Sequence, residues 1–138
     1  MNKIWNFIKR WFIEMGSPPL FYKWSSKILP WLSIVSILIL GVGLYWGMFY
    51  APTDYKQGDV YRILFIHVPS AILGQSIFMF MAICGFINMI WRAKISGMML
   101  KSAAPIGASF TLLALVTGSI WGKPTWGVWW VWDARLTS

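Results

Sequence analysis

The stretch that decides the fold is ILPWLSIVSILILGVGLYWGMFYAPT, residues 28–53, which contains no charged side chain. Two more charge-free runs follow at residues 63–91 and 102–122, so the three runs hold 26, 29 and 21 residues. A helix of roughly 20 apolar residues crosses a bilayer core about 30 Å thick. A Lys or Arg at the centre of such a helix costs on the order of 3 kcal/mol, which accounts for the gaps between charges. Each run is therefore long enough to span a membrane.

The composition supports lipid as the solvent of this chain. Of its 138 residues, 58% are hydrophobic and 12% are charged, whereas a soluble domain carries about 25% charged residues. We therefore predict an all-α integral membrane protein in a single membrane domain. Its three transmembrane helices are expected near residues 31–50, 68–90 and 103–121.

The charged residues predict how the chain is oriented. The net charge is +8, and it is concentrated in residues 1–30, with net +4, and in residues 92–101, with net +3. Loop 51–62 is neutral and the tail after residue 122 carries +1. By the positive-inside rule the N-terminus is cytoplasmic, and loop 51–62 and the tail 122–138 lie outside. Because the basic residues flank the spans and form no single face, we exclude nucleic acid as a partner.

The first 15 residues, MNKIWNFIKRWFIEM, are amphipathic at helical spacing. This pattern predicts a helix lying in the cytoplasmic headgroup layer of the bilayer, within a cytoplasmic or interfacial segment 1–27. Gly16-Ser17-Pro18-Pro19 is expected to end that helix. The apolar face is formed by Ile4, Phe7, Ile8, Trp11 and Met15.

The predicted spans contain few candidate functional residues. The single cysteine, Cys84, excludes an internal disulfide and a C-x-x-C motif, and we interpret it as a packing residue. Gly41 and Gly43 are typical of a close contact between helices. Since the spans hold almost no polar lining, a pore or permease finds little support.

The only histidine, His67, lies near the predicted outer end of the second span, two residues before Pro69. A neutral imidazole is a good ligand for iron, and an ionisable group at membrane depth is a candidate functional residue. Taken alone, His67 is better explained as an interfacial histidine bonded to a carbonyl or to water. Pro69 is expected to begin or kink a helix at this point.

The segment WGKPTWGVWWVWDAR, residues 121–135, is the second unusual feature. Its five tryptophans between residues 121 and 132 exceed the one or two of an interfacial aromatic belt. Gly122, Pro124 and Gly127 argue against one straight helix through its start. Indole faces can stack on a flat apolar ligand, and a guanidinium such as that of Arg135 can pair with a carboxylate. A protein-docking or headgroup-anchoring surface explains the composition equally well.

The predicted topology places His67 and the Trp-rich segment at the same outer end of the bundle. An imidazole, several indole plates and a cation at one interface suit a metalloporphyrin, whose iron takes the imidazole while the macrocycle stacks. Their convergence makes a haem-handling role the leading hypothesis.

Four stretches carry a resemblance to a known family. WGKPTWGVWWVWDARLTS, residues 121–138, resembles the tryptophan-rich "WWD" signature of haem-handling membrane proteins. Together with FIHVPSAI at 65–72, APTDYKQGDVYR at 51–62 and APIGASFTLLALVTGSIWGKP at 104–124, it resembles the haem exporter protein C family of cytochrome c maturation. The similarity covers most of the chain from about residue 30 onward.

The resemblance implies a subunit of the bacterial inner membrane that holds haem b non-covalently and transiently at the periplasmic face. Its haem lies between the Trp-rich segment and two axial histidines, and is passed to a membrane-anchored periplasmic haem chaperone. The implied partners also include an ABC-type ATPase with its membrane subunit and a small single-span protein. The site residues carried over are His67 as axial ligand, with Trp121, Trp126, Trp129, Trp130, Trp132, Asp133 and Arg135.

Members of this family have six transmembrane helices and a second axial histidine, so we expect this chain to be the N-terminal portion of a longer protein. The expected role is haem transfer without enzymatic activity, and any ATPase activity would belong to a partner. The alternative is a structural subunit whose Trp-rich segment docks a partner and binds no haem. A haem lyase or synthase with the same signature would be an enzyme, but such relatives are much larger.

Overall fold

The computed structural model describes residues 2–15 and 17–132, and these residues are mainly helical. The elements are α1 (Asn2–Met15), α2 (Pro18–Phe49), α3 (Leu64–Trp91) and α4 (Lys94–Trp126), with a 3₁₀ helix at Asp59–Ile63 leading into α3. The helices α2, α3 with its 3₁₀ turn, and α4 are each long and apolar enough to cross a membrane. The prediction of an all-α integral membrane protein with three spanning helices is confirmed.

The helix ends differ from those that the sequence patterns indicated. Helix α2 begins at Pro18. Proline is tolerated in the first helical turn, because the N–H that it lacks would have no partner within the helix at that position. Pro69 does not begin α3, which starts at Leu64. Helix α4 continues through Gly122 and Pro124 to Trp126, so the expected interruption at those two residues is wrong. The helix ends at Gly127, whose φ of 81° is left-handed and suits a residue without a Cβ.

Helices α3 and α4 form an antiparallel hairpin, joined by the short connection Arg92-Ala93. Apolar side chains gain little from each other in lipid, so close helix packing in membranes uses small residues. The buried positions of both helices follow this rule, and their polar members Ser70, Ser96 and Thr117 bond to carbonyls in the preceding turn. The buried residues are Ser70, Gly74 and Cys84 of α3, and Ser96, Ala103, Gly107, Thr117 and Gly122 of α4.

Helix α2 meets this hairpin near its C-terminal end. A Cβ atom at Gly47 would lie 2.8 Å from Cγ of Phe65, so the ring of Phe65 rests directly on the α2 backbone. Arg62 joins the same junction by donating to the carbonyls of Met48 and Ala51, the latter at 3.1 Å. A cation is favourable at the negative end of a helix dipole. At Gly41 and Gly43 no described atom of another element comes within 4 Å of a Cβ position, so the described residues do not supply the close contact expected there.

Candidate functional site

His67 lies in the first turn of α3 with its imidazole half-buried against α4. Its Nδ1 atom is 3.0 Å from the carbonyl oxygen of Ala114 and 3.1 Å from Oγ1 of Thr117. A Cβ atom at Gly118 would lie 3.0 Å from Cε1 of the ring. The imidazole therefore occupies a recess that the small residues of α4 leave open.

Trp121 continues the same face of α4 by one turn and contacts the histidine. The two ring centroids are 5.7 Å apart at an interplanar angle of 65°, an edge-on arrangement. The indole N–H of Trp121 donates to Oε1 of Gln57 at 2.9 Å. The structure thus brings together the histidine of α3 and the first tryptophan of the segment 121–132.

The loop that carries Gln57 is held in shape by Asp54. One carboxylate oxygen of Asp54 accepts from the backbone N–H of Lys56 at 2.9 Å and of Gln57 at 2.8 Å. Such a side-chain-to-backbone turn is a common use of aspartate in loops. The loop between α2 and α3 is therefore an ordered support for Trp121.

Beyond Trp121 the chain follows the end of α4 and then turns away. The ring of Trp126 lies over Gly122, where a Cβ position is 3.4 Å from Cε3 of the indole. The ammonium group of Lys123 donates to the carbonyl of Gly127 at 3.0 Å and lies 5.9 Å from the ring centroid of Trp129. Lys123 therefore stabilises the turn that follows α4.

The last described tryptophans form a second aromatic pair. Trp130 and Trp132 meet edge-on with centroids 5.7 Å apart, and Trp132 is 83% exposed. The buried Nε1 of Trp130 has no hydrogen-bond acceptor within the described part of the chain. Among the described residues, Trp121 is the one indole for which a ring contact with His67 is found. Asp133 and Arg135 lie outside the described residues.

A groove of about 490 Å³ opens beside this site, between the end of α2, the start of α3 and the end of α4. Its wall is mainly apolar, and two cations, Arg62 and Lys123, lie along it with Asp59. Arg62 forms an ion pair with Asp59 at 3.1 Å. The lining residues include Ile66 and Ile120, the chain neighbours of His67 and Trp121.

The side chains of this site fit a metal held in a macrocycle better than a bare metal ion. Within residues 2–15 and 17–132, no three His, Cys, Asp or Glu side chains come together as a metal cluster. A bare ion such as zinc is usually held by three or four protein ligands. A single imidazole beside indole rings fits a metal whose other ligands come with its own macrocycle.

Sequence reasoning did not single out Gln57, Thr117 or Gly118. Thr117 and Gly118 precede Trp121 by four and three residues, so helical spacing alone places them on its face. That signal was available within the predicted span 103–121. The Gln57 contact joins residues 64 positions apart and could be found only from the packed structure.

Fold and site together define a multi-span membrane protein with an imidazole–indole site at one end of a helix hairpin. The family described as "Heme exporter protein C" matches residues 11–138. The chain belongs to this family.

Individual relatives agree with that assignment. The chain is 50% identical over 125 residues to heme exporter protein C of Escherichia coli K12, a match covering 91% of this chain and 51% of the relative. It is 43% identical over 129 residues to the Haemophilus influenzae protein of that name, covering 94% and 52%. The Paracoccus denitrificans relative is 46% identical over 125 residues, covering 91% and 52%. The chain spans about half the length of these relatives.

Proposed function

We propose that this chain is part of a haem-handling subunit of the cytochrome c maturation machinery. In this role it holds haem at the periplasmic face of the bacterial inner membrane and delivers it to a periplasmic haem chaperone. Membership of the haem exporter protein C family supports the proposal, as does the name of its relatives. Haem b is the cargo, bound non-covalently and transiently.

The observation that carries the proposal is the contact between His67 and Trp121. An imidazole is the protein ligand that haem iron most often takes, and an indole offers a flat apolar surface for a porphyrin. Each well-placed aromatic pair contributes on the order of 1 kcal/mol beyond its buried area. Both groups stand on rigid helices, so the site is preorganised for a planar ligand.

The polar groups around the site fit haem as well. No described residue hydrogen-bonds to Nε2 of His67, since its recorded polar contacts are made through Nδ1. The buried N–H of Trp130 also lacks a described acceptor, which a carboxylate-bearing ligand could supply. Trp126, Trp129, Trp132, Asp133 and Arg135 complete the proposed haem surface.

The proposed role is transfer and not catalysis of a metabolic reaction. This chain's residues would hold and orient the porphyrin edge for the chaperone, which accelerates transfer by positioning. The other proposed partners are an ABC-type ATPase, its membrane subunit and a small single-span protein. Hydrolysis of ATP would belong to those partners.

Absorption spectroscopy of haem bound to the purified membrane protein tests the proposal. We expect a Soret band that shifts or weakens in His67→Ala, because the iron loses its protein ligand. The matched control is Gln75→Ala, an exposed residue two turns further along α3, which should leave the band in place. An unchanged spectrum in His67→Ala would remove His67 as a ligand.

The exposed indoles favour a second candidate, a structural subunit whose Trp-rich segment docks a protein partner. Trp126 and Trp129 are more than half exposed, and Trp132 more so. This function predicts that Trp126→Ala and Trp130→Ala abolish co-purification of partners while haem content per complex stays the same. The haem-handling function predicts a fall in haem content in the same variants.

A further inference from the structure

We propose that one face of α4, formed by Ala114, Thr117 and Gly118, fixes the tautomer and orientation of His67 so that Nε2 is its iron-binding atom. In this arrangement Thr117 is a positioning residue. The inference rests on the proposed function, because it takes His67 to be a haem ligand, and it adds which ring nitrogen binds and what holds the ring.

The three residues act together because of helix geometry. Positions 114, 117, 118 and 121 have the spacing i, i+3, i+4 and i+7, which places them on one face of a helix. All four contact or closely approach the imidazole: Ala114 and Thr117 through oxygen atoms, Gly118 through its open backbone and Trp121 through its ring. These four residues of one α4 face thus pack against one side of the imidazole.

The hydrogen bonds decide the tautomer. A carbonyl oxygen can only accept, so the 3.0 Å contact with Ala114 requires Nδ1 of His67 to carry the hydrogen. The Thr117 hydroxyl donates to the carbonyl of Leu113 at 2.7 Å, which leaves its lone pairs to share the Nδ1–H at 3.1 Å. A neutral imidazole has one N–H, so Nε2 holds a free lone pair.

An imidazole held in this way is prepared for a metal. Histidine ligands usually donate their second ring N–H to a carbonyl or carboxylate, which fixes the ring and makes the ligating nitrogen more basic. Loss of such an outer partner costs roughly 10- to 100-fold in metal affinity. Ala114 and Thr117 supply this outer interaction from within α4.

Gly118 supplies the space for the ring. A Cβ atom there would lie 3.0 Å from Cε1 and 3.4 Å from Nδ1 of His67. Any side chain at position 118 would therefore move the ring away from the two acceptors. Gly85 of α3, where a Cβ position meets nothing within 4 Å, is a matched control for substitution of a helical glycine.

Nitrogen NMR tests the tautomer directly. The chain contains a single histidine, so ¹⁵N-histidine labelling of the purified, haem-free chain reports His67 alone. In the neutral imidazole we expect Nδ1 to be protonated and Nε2 bare. A parent chain with the proton on Nε2 would overturn the inference.

Substitution of Thr117 tests positioning in the haem-loaded protein. Thr117→Val keeps the shape of the side chain and removes one of the two acceptors of the Nδ1–H, so we expect the ring to be held less firmly and haem affinity to fall about 10-fold. Thr117→Ser keeps the hydroxyl and should behave as the parent does. Gly118→Ala should weaken haem binding, and Gly85→Ala should not. Equal affinity in Thr117→Val and Thr117→Ser overturns the role of Thr117.

The two experiments separate this inference from the proposed function. If Nδ1 carries the proton but His67→Ala leaves the haem spectrum unchanged, the proposed ligand has failed and the α4 face serves packing alone. If His67→Ala removes the spectrum but the parent holds the proton on Nε2, the ligand stands and the inference about α4 has failed.

Discussion

Gly47 is the residue at which α2 rests on α3, and the missing side chain makes that contact possible. The ring of Phe65 lies where a Cβ would stand, with Cγ only 2.8 Å from that position. Gly43, one turn earlier on the same helix, has no described neighbour within 4 Å of its Cβ position. The two glycines therefore differ in packing, although both are helical residues of α2.

Gly47→Ala is expected to loosen this junction. The added methyl group must displace the Phe65 ring, and overpacking of this kind costs about 1–3 kcal/mol. Stepwise unfolding in a denaturing detergent should show a less stable Gly47→Ala chain. Gly43→Ala provides the comparison, since it adds the same methyl group to α2 without a clash. Equal stability of the two variants would contradict the packing described for Gly47.

At the scale of elements, the turn between α3 and α4 depends on one strained backbone position. Arg92 ends α3 with φ 49° and ψ 35°, a left-handed conformation that side chains with a Cβ disfavour. Its N–H donates to the carbonyl of Asn88 at 3.0 Å. This is the position at which helices usually place glycine.

Arg92→Gly should therefore stabilise the hairpin relative to Arg92→Ala by about 1 kcal/mol. Both changes remove the same charge, so their difference isolates the backbone effect. The free energy of unfolding of the two variants in the same detergent provides the measurement. A glycine variant no more stable than the alanine variant would show that Arg92 is not held in the left-handed region.

The end of α4 is a second element whose form depends on one side chain. Lys123 bonds to the carbonyl of Gly127 and lies over the ring of Trp129. Lys123→Met keeps the aliphatic stem and removes both interactions. We expect the amides of residues 127–132 to exchange hydrogen several-fold faster, since about 1 kcal/mol of local stability is lost. Exchange within residues 103–118 should stay unchanged.

Lys94→Met is the control for this experiment, because Lys94 begins the same helix at its other end. Protection of residues 127–132 should be the same in that variant as in the parent. Unaltered exchange in Lys123→Met would mean that the turn is held by other contacts.

At the scale of the whole molecule, the sequence predicts the number of spanning helices because charge is expensive in lipid over some 20 residues. The helix ends escaped prediction for local reasons. Pro18 is compatible with a first helical turn, and Pro124 lies in the last turn of α4, where Thr125 bonds to the carbonyl of Trp121 at 2.7 Å. Topology predicted His67 and the Trp-rich segment at the same end of the bundle, whereas the contact of His67 with Trp121 and the partners of both rings depend on how the helices pack.

The proposed orientation predicts the access of reagents from each side of the membrane. In a Cys84→Ala background, single cysteines at Tyr55 and Val131 should react with a membrane-impermeant maleimide in intact cells. A cysteine at Lys94 should react only after the cells are permeabilised. All three parent side chains are exposed, so burial does not limit labelling. If only one of the cysteines at 55 and 131 reacted in intact cells, the histidine and the indoles would lie on opposite sides of the membrane. The shared site would then be excluded.

The hairpin formed by α3 and α4 also bears on how the protein is made. His67 and the residues that hold it belong to consecutive helices joined by only two residues. Closing a short chain segment carries a small entropic cost, and neighbouring elements find each other early. The contacts between His67 and α4 can therefore form as soon as the chain has been synthesised and inserted as far as residue 121. They do not have to wait for an assembly partner.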